Sequence, residues 1–250
     1  VNLRKFRRLR TKLLIFLSVV GPGIITANVD NDAGGIFTYS AAGARFGYTL
    51  LWTLVPITVA LIVVQEIVAR MGVVTGKGLA DLIREEYGLR ATFFLMALLL
   101  VTNFANTISE FAGLAAGMSL FGASRYVVVP LGAIIVWALV VKGTYRSVEK
   151  VFLVACLFYI AYPVSSFLAH PDWPQALKYT VIPPSGINTS HLFMIIGLVG
   201  TTIAPWMQFY QQAAVVEKGI KVKNYIQARW DVILGCTITD VVAFFIIVSC

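Results

Sequence analysis

Apolar residues in this chain run in long blocks separated by short polar, basic segments. About 20 consecutive apolar residues are needed for a helix to cross a bilayer. The pattern predicts seven spans: Leu13–Phe46, Tyr48–Ala69, Ala91–Leu120, Tyr126–Val141, Val151–Ala169, His191–Val216 and Trp230–Cys250. Between the second and third spans, Asp81, Arg84, Glu85 and Glu86 fall at helical spacing and predict a solvated amphipathic helix. The Pro-rich stretch 170–190, with Pro171, Pro174, Pro183 and Pro184, reads as an ordered loop or a short capping helix. The seventh span ends on the last residue with no polar flank, so further spans are expected beyond it.

Two spans break the pattern. The first contains GPGIITANVDNDAGGIF, residues 21–37, in which Asn28, Asp30, Asn31 and Asp32 precede a glycine pair. A carboxylate at mid-bilayer costs several kcal/mol unless paired or hydrated, at about the level of the insertion scales. Non-helical backbone lining a polar cavity satisfies both the polar side chains and the glycines. The sixth span contains GTTIAPWMQFYQQ, residues 200–212, where Pro205 removes a backbone donor and clashes with the preceding turn. Broken helices at corresponding places in two halves point to a transport site near the midplane. Spans one to five, residues 13–169, then form one five-helix repeat. Residues 191–250 open a second, inverted repeat after the outer loop 170–190. The fold class expected is an all-α polytopic membrane protein, an inverted repeat with broken first and sixth helices. Pro and Gly also kink ordinary membrane helices, and that reading stands beside this one.

Composition narrows the function. Of the 250 residues, 58% are hydrophobic and 13% charged, with a mean hydropathy of +0.82. The net charge of +8 lies between spans and not on one face, which excludes a nucleic-acid footprint. Six of the twenty Lys and Arg residues occupy the tail 1–12. With that tail in the cytoplasm, seventeen basic residues lie inside and three (Arg45, Arg125 and Lys178) outside, as the positive-inside rule requires. Cys156, Cys236 and Cys250 all lie in apolar blocks and make no disulfide framework or metal spacing. No nucleophile–base pair or catalytic metal motif is present, which argues against an enzyme. Gly76-Lys77-Gly78 lacks the rest of a phosphate loop.

Gly21–Gly23, Asp32, the run Gln65–Gly88 (QEIVARMGVVTGKGLADLIREEYG), Tyr145–Phe152 (YRSVEKVF) and Gly200–Pro205 (GTTIAP) resemble the Nramp family of divalent metal transporters. The resemblance implies the leucine-transporter-type fold with eleven or twelve spans. It also marks departures. Standard members carry Asp-Pro-Gly-Asn in the first span, and here Asp32-Ala33-Gly34-Gly35 replaces it. Their Met-Pro-His in the sixth span is Ala204-Pro205-Trp206, so the ligating thioether is missing. A later histidine appears as Gln211, and an acid of the third span as Thr107, while Glu110 is kept. This pattern is similar to the Nramp-related magnesium transporter branch. A thioether favours softer transition metals. Its loss leaves oxygen donors that suit Mg²⁺ and Mn²⁺.

The metal is expected on Asp32, with Asp30 and Asn28 as further ligands and the carbonyls of Val29, Thr201 and Ala204 supplying backbone oxygen. Gly35, Asn31, Thr202, Trp206, Gln208, Gln211, Thr107 and Glu110 are expected to line the cavity or support the ligands. Each has a simpler competing role. Asp32 fits a helix cap, Asn31 a backbone tie, Trp206 plain packing, and Glu110 or Asp240 a buried ion pair or neutral acid. The expected function is import of Mg²⁺ or Mn²⁺ across a prokaryotic plasma membrane by alternating access, with weak or no proton coupling. The divalent cation is substrate and no cofactor is expected; the lipid bilayer is the other partner. The alternatives are a proton-coupled Mn²⁺/Fe²⁺ carrier of the standard type and an amino-acid or organic-ion carrier of the same fold.

Overall fold

The structure, a computed structural model, describes residues 25, 31–143, 151, 154–184 and 186–250. The basic tail, Asn28, Val29 and Asp30 lie outside the described residues.

Apolar sequence with few helix breakers forms nine α-helices among the described residues. They are α1 (Ala33–Phe46), α2 (Leu54–Thr75), α3 (Leu79–Ser119), α4 (Arg125–Lys142), α5 (Ala161–Leu168), α6 (Trp173–Val181), α7 (Thr189–Thr202), α8 (Pro205–Glu217) and α9 (Tyr225–Ser249). Helical turns of 3₁₀ type cover Gly47–Thr53, Cys156–Ile160 and Val222–Asn224. Among the described residues, five helical runs are long and apolar enough to cross a membrane: Ala33–Thr75, Leu79–Ser119, Arg125–Lys142, Thr189–Glu217 and Val222–Ser249.

The first of these runs is two arms. Gly47 has φ 54° and ψ −135°, a conformation that ends α1, and the chain turns through Gly47–Thr53 into α2. Contacts along α9 give the directions. Asn31 lies at Thr239 and Gly43 at Ile247, so α1 runs parallel to α9. Thr58 lies beside Asp240 and Glu66 meets Tyr225, so α2 runs antiparallel to it. The sequence-predicted boundary between spans one and two, after Phe46, is this turn.

α9 is the central post, packed against α1, α2 and α5. Its buried positions include Val232, Cys236, Thr239, Asp240, Ala243, Ile246 and Ile247. One apolar cluster gathers Tyr39, Leu50, Leu51, Ile57, Leu198 and Ile246, and Ala176 of α6 is buried in it. The stretch 170–190 therefore does hold a short capping helix: α6, started by Asp172 accepting from Gln175 N at 3.1 Å, packs on the Gly47–Thr53 turn. A second cluster gathers Leu61, Ala69, Met207, Val215, Val232 and Cys236 near the other ends of α2 and α9.

By contrast α3 buries only Thr92, and α4 buries nothing among the described residues. Leu, Ile and Phe side chains on these helices face outward, the arrangement expected where lipid is the solvent. In α3, Gly88 has φ 79° and ψ 176°, which separates the amphipathic arm at Asp81–Glu86 from the apolar arm predicted from Ala91. The fifth predicted span, 151–169, is helical at Val151, Val154 and Ala155 and continues through the turn Cys156–Ile160 into α5, with an apolar helical run of Leu157–Leu168.

Candidate metal centre

Both predicted breaks lie where the polar residues are. Asp32 is extended, with φ −72° and ψ −179°, and α1 starts immediately after it. In the sixth span, Ile203 (φ −113°, ψ 57°) and Ala204 (φ −72°, ψ 136°) separate α7 from α8. Pro205 has no N–H, so the Thr201 carbonyl four residues earlier lacks its helical partner. The Ala204 carbonyl accepts from Met207 N at 3.1 Å. The Gln208 amide lies against the break, and with its nitrogen rather than its oxygen turned there it donates to the carbonyls of Ala204 and Pro205.

Asp32 acts as the cap of α1: Oδ1 accepts from Gly35 N at 2.7 Å. Its other oxygen, Oδ2, faces Asn106 Nδ2 of α3 at 3.4 Å. Glu110, one turn further along α3, takes the next amide of the α1 N-terminus. Ala33 N donates to Glu110 Oε1 at 3.2 Å and to Oε2 at 3.4 Å. Two carboxylates thus share the positive end of one helix, where anions are stabilised by up to about 1 kcal/mol at exposed sites. Gly113 makes this approach possible. A Cβ there would overlap the Cβ of Ala33, so α3 sits against the start of α1 only because position 113 has no side chain.

Asn31 is buried and works as a tie. Its Nδ2 donates to the Thr239 carbonyl of α9 at 3.3 Å, and its carbonyl accepts from Tyr159 Oη at 3.3 Å. Its Oδ1 has no hydrogen-bond partner among the described residues. Thr202, fully buried at the end of α7, ties the second break to the middle of α1. Its Oγ1 lies 2.7 Å from Tyr39 Oη of α1 and donates to Leu198 O at 2.8 Å.

The structure thus brings Asp32, Gly35, Glu110 and Asn31 together, and places Thr201, Thr202, Ala204 and Gln208 at the second break on helices packed against α1 and α2. Two expected liners are placed differently. Thr107 is exposed, and its hydroxyl donates to Asn103 O at 2.9 Å. Asn106 reaches Asp32 instead, because it stands one full turn before Glu110 on the same helix face. The signal was present as the polar spacing Asn103, Asn106, Glu110 in an apolar span. Trp206 packs with the second cluster and lies edge-on to Tyr210 at 6.4 Å. Gln211 is buried within α8. The sulfur of Met207 offers no thioether substitute for the one missing at position 204, because this side chain is fully buried among Leu61, Val215 and Cys236.

Among the described residues no three His, Cys, Asp or Glu side chains converge to hold a metal ion. At the start of α1 two carboxylates, Asp32 and Glu110, converge with the Asn106 amide, and at the second break the Thr201 carbonyl is freed. This set is composed of hard donors.

The Nramp family model, described as natural resistance-associated macrophage protein-like, matches residues 23–250. Divalent metal cation transporters named MntH from two strains of Klebsiella pneumoniae are each 30% identical over 233 residues, covering 90% of this chain and 56% of theirs. The crystal structure of the Eremococcus coleocola manganese transporter with an aromatic bis-isothiourea substituted compound superposes with a TM-score of 0.82. It is 23% identical, and the match covers 93% of this chain and 51% of that one. A mutant of the same transporter superposes at 0.80. The chain spans about half the length of the relatives it matches. Its fold is the one these transporters share, the leucine-transporter type. By the extent of the family match, the chain belongs to the Nramp family.

Proposed function

We propose that this chain carries the anchor of a site through which hard divalent cations, Mg²⁺ or Mn²⁺, are imported by alternating access. The observation that carries the reading is the Asp32 carboxylate. It sits partly buried at a helix break inside an apolar bundle, beside the Glu110 carboxyl and with Oδ2 accepting from the Asn106 amide at 3.4 Å. A metal ion bound there would take Oδ2, with the Thr201 carbonyl as a donor from the facing break and the Ala204 carbonyl in place of its bond from Gln208. Asp30, Asn28 and the Val29 carbonyl complete the set in this reading. Spans one to five are one repeat and spans six and seven open the second, with the basic tail in the cytoplasm. Relatives named for manganese support Mn²⁺, and the missing thioether supports any hard ion over a soft one.

Proton coupling is weak or absent in this reading, because Gln211 and Trp206 cannot carry protons as histidines do. A standard proton-coupled carrier is favoured by one observation. Glu110 stands next to Asp32 and could pass a proton. Uptake of Mg²⁺, Mn²⁺, Ca²⁺ and Cd²⁺ into proteoliposomes carrying an internal pH dye separates the two. Entry of Mg²⁺ and Mn²⁺ with flat internal pH, abolished in Asp32→Ala, supports the proposal. Preferred entry of Cd²⁺ with acidification of the lumen overturns it.

A further inference from the structure

A second unusual carboxylate lies away from Asp32, in the seam between α2 and α9. Asp240 is 5% exposed. Neither of its carboxylate oxygens has a hydrogen-bond partner among the described residues. A buried charge without a partner in a bilayer is expensive enough to be a functional site by default. Asp240 borders a cavity of about 260 Å³ whose other polar lining groups are Thr58 of α2, Thr180 of α6 and Thr237 of α9.

The hydroxyls decide what the cavity can hold. Each threonine donates its proton back to its own helix: Thr58 to Leu54 O at 2.7 Å, Thr180 to Ala176 O at 2.9 Å, Thr237 to Ile233 O at 2.7 Å. With their protons on those carbonyls the three hydroxyl oxygens present lone pairs to the cavity, and the Thr58 hydroxyl, within hydrogen-bond reach of Asp240, can turn its proton to the carboxylate when no cation is bound. Around them the wall is Leu54, Val55, Val241 and Phe244. The cavity is thus an all-acceptor oxygen set carrying one negative charge, with no cationic side chain lining it.

We infer that the Asp240 cavity is a binding site for a monovalent cation, Na⁺, distinct from the divalent site at Asp32. One carboxylate balances one positive charge. A divalent ion would leave a net charge in the apolar seam, and ions such as Ca²⁺ ask for more oxygens and usually more carboxylates. Na⁺ bound here bridges α2, α6 and α9, and so couples the outer cap to the central post.

Thermal unfolding of the purified protein in lipid nanodiscs tests the inference. Sodium is exchanged for choline at constant pH and ionic strength, with divalent ions absent. Sodium at roughly a hundred times its Kd is expected to raise Tm by about 5 °C or more. Asp240→Asn, close in shape, is expected to abolish that shift, and Thr58→Val to move it to higher sodium concentration even if Asp240→Asn does not fold. Asp32→Asn is expected to keep it, which separates this site from the divalent one. A Tm indifferent to sodium overturns the inference, as does one that follows pH but not sodium. So does a sodium shift that persists in both Asp240→Asn and Thr58→Val.

Discussion

Asp32 does two jobs that substitution can separate. Asparagine caps helices about as well as aspartate, while alanine does not, at a difference of about 1 kcal/mol. Asp32→Asn is therefore expected to keep α1 folded and abolish metal uptake. Asp32→Ala is expected to lose uptake and also lower thermal stability. If Asp32→Asn transports normally, the aspartate is a cap alone. Asn106 gives the complementary case. Asn106→Leu removes the amide from Oδ2 at 3.4 Å and is expected to change the apparent affinity for Mn²⁺ in an uptake assay more than the maximal rate. An unchanged affinity would remove Asn106 from the site.

Residue by residue, legibility followed chemistry that cannot hide. A carboxylate in an apolar run is conspicuous, so Asp32 and Glu110 stand out from the sequence alone. Asn106 did not, because choosing between neighbours such as Asn106 and Thr107 depends on helical phase. The resemblance singled out position 107, and the helix turns position 106 toward Asp32. Trp206, for which both cavity lining and plain packing were open, rests its ring on the second cluster.

At the scale of elements, the breaks were readable because Pro205 and the Gly34–Gly35 pair are backbone statements as much as side-chain ones. The close seating of α3 on α1 was not, since a glycine's neighbour is unknown until the helices are packed. Gly113→Val is expected to push α3 away from Ala33 at a cost of about 1–3 kcal/mol, an overpacking penalty, measurable as lower Tm. Retained stability and uptake would show that α3 can shift freely. Ala204→Met restores a thioether at the second break. It is expected to raise Cd²⁺ uptake relative to Mg²⁺, and an unchanged ratio would place position 204 away from the ion.

For the whole molecule, the order of apolar blocks carried the fold, but the depth of burial did not follow hydrophobicity. α4 is among the most apolar helices and buries no residue, while α9, 25 residues long, buries nearly half of them. Lipid and protein interiors are alike in polarity, so composition cannot tell which helix becomes the post. Charge placement does carry through to mechanism. A divalent ion entering a negative interior gains about 2.3 kcal/mol per charge per 100 mV, so uptake without protons is expected to rise when a diffusion potential makes the liposome lumen negative. Uptake indifferent to that potential would point to electroneutral exchange.

The forked contact from Glu110 to the first amide of α1 has a mechanical side. Its two oxygens sit at 3.2 and 3.4 Å from one nitrogen. A carboxylate held this way can swivel and shift the hydrogen bond of that N–H from one oxygen to the other without letting go. In the proposed alternating access such a contact would serve as a ball joint: α1 would tilt about its broken end, with the pivot within one residue of Asp32. A rocking motion about such a pivot moves the far end of α1 widely and the carboxylate hardly at all. The ion would stay in place while the walls around it change sides.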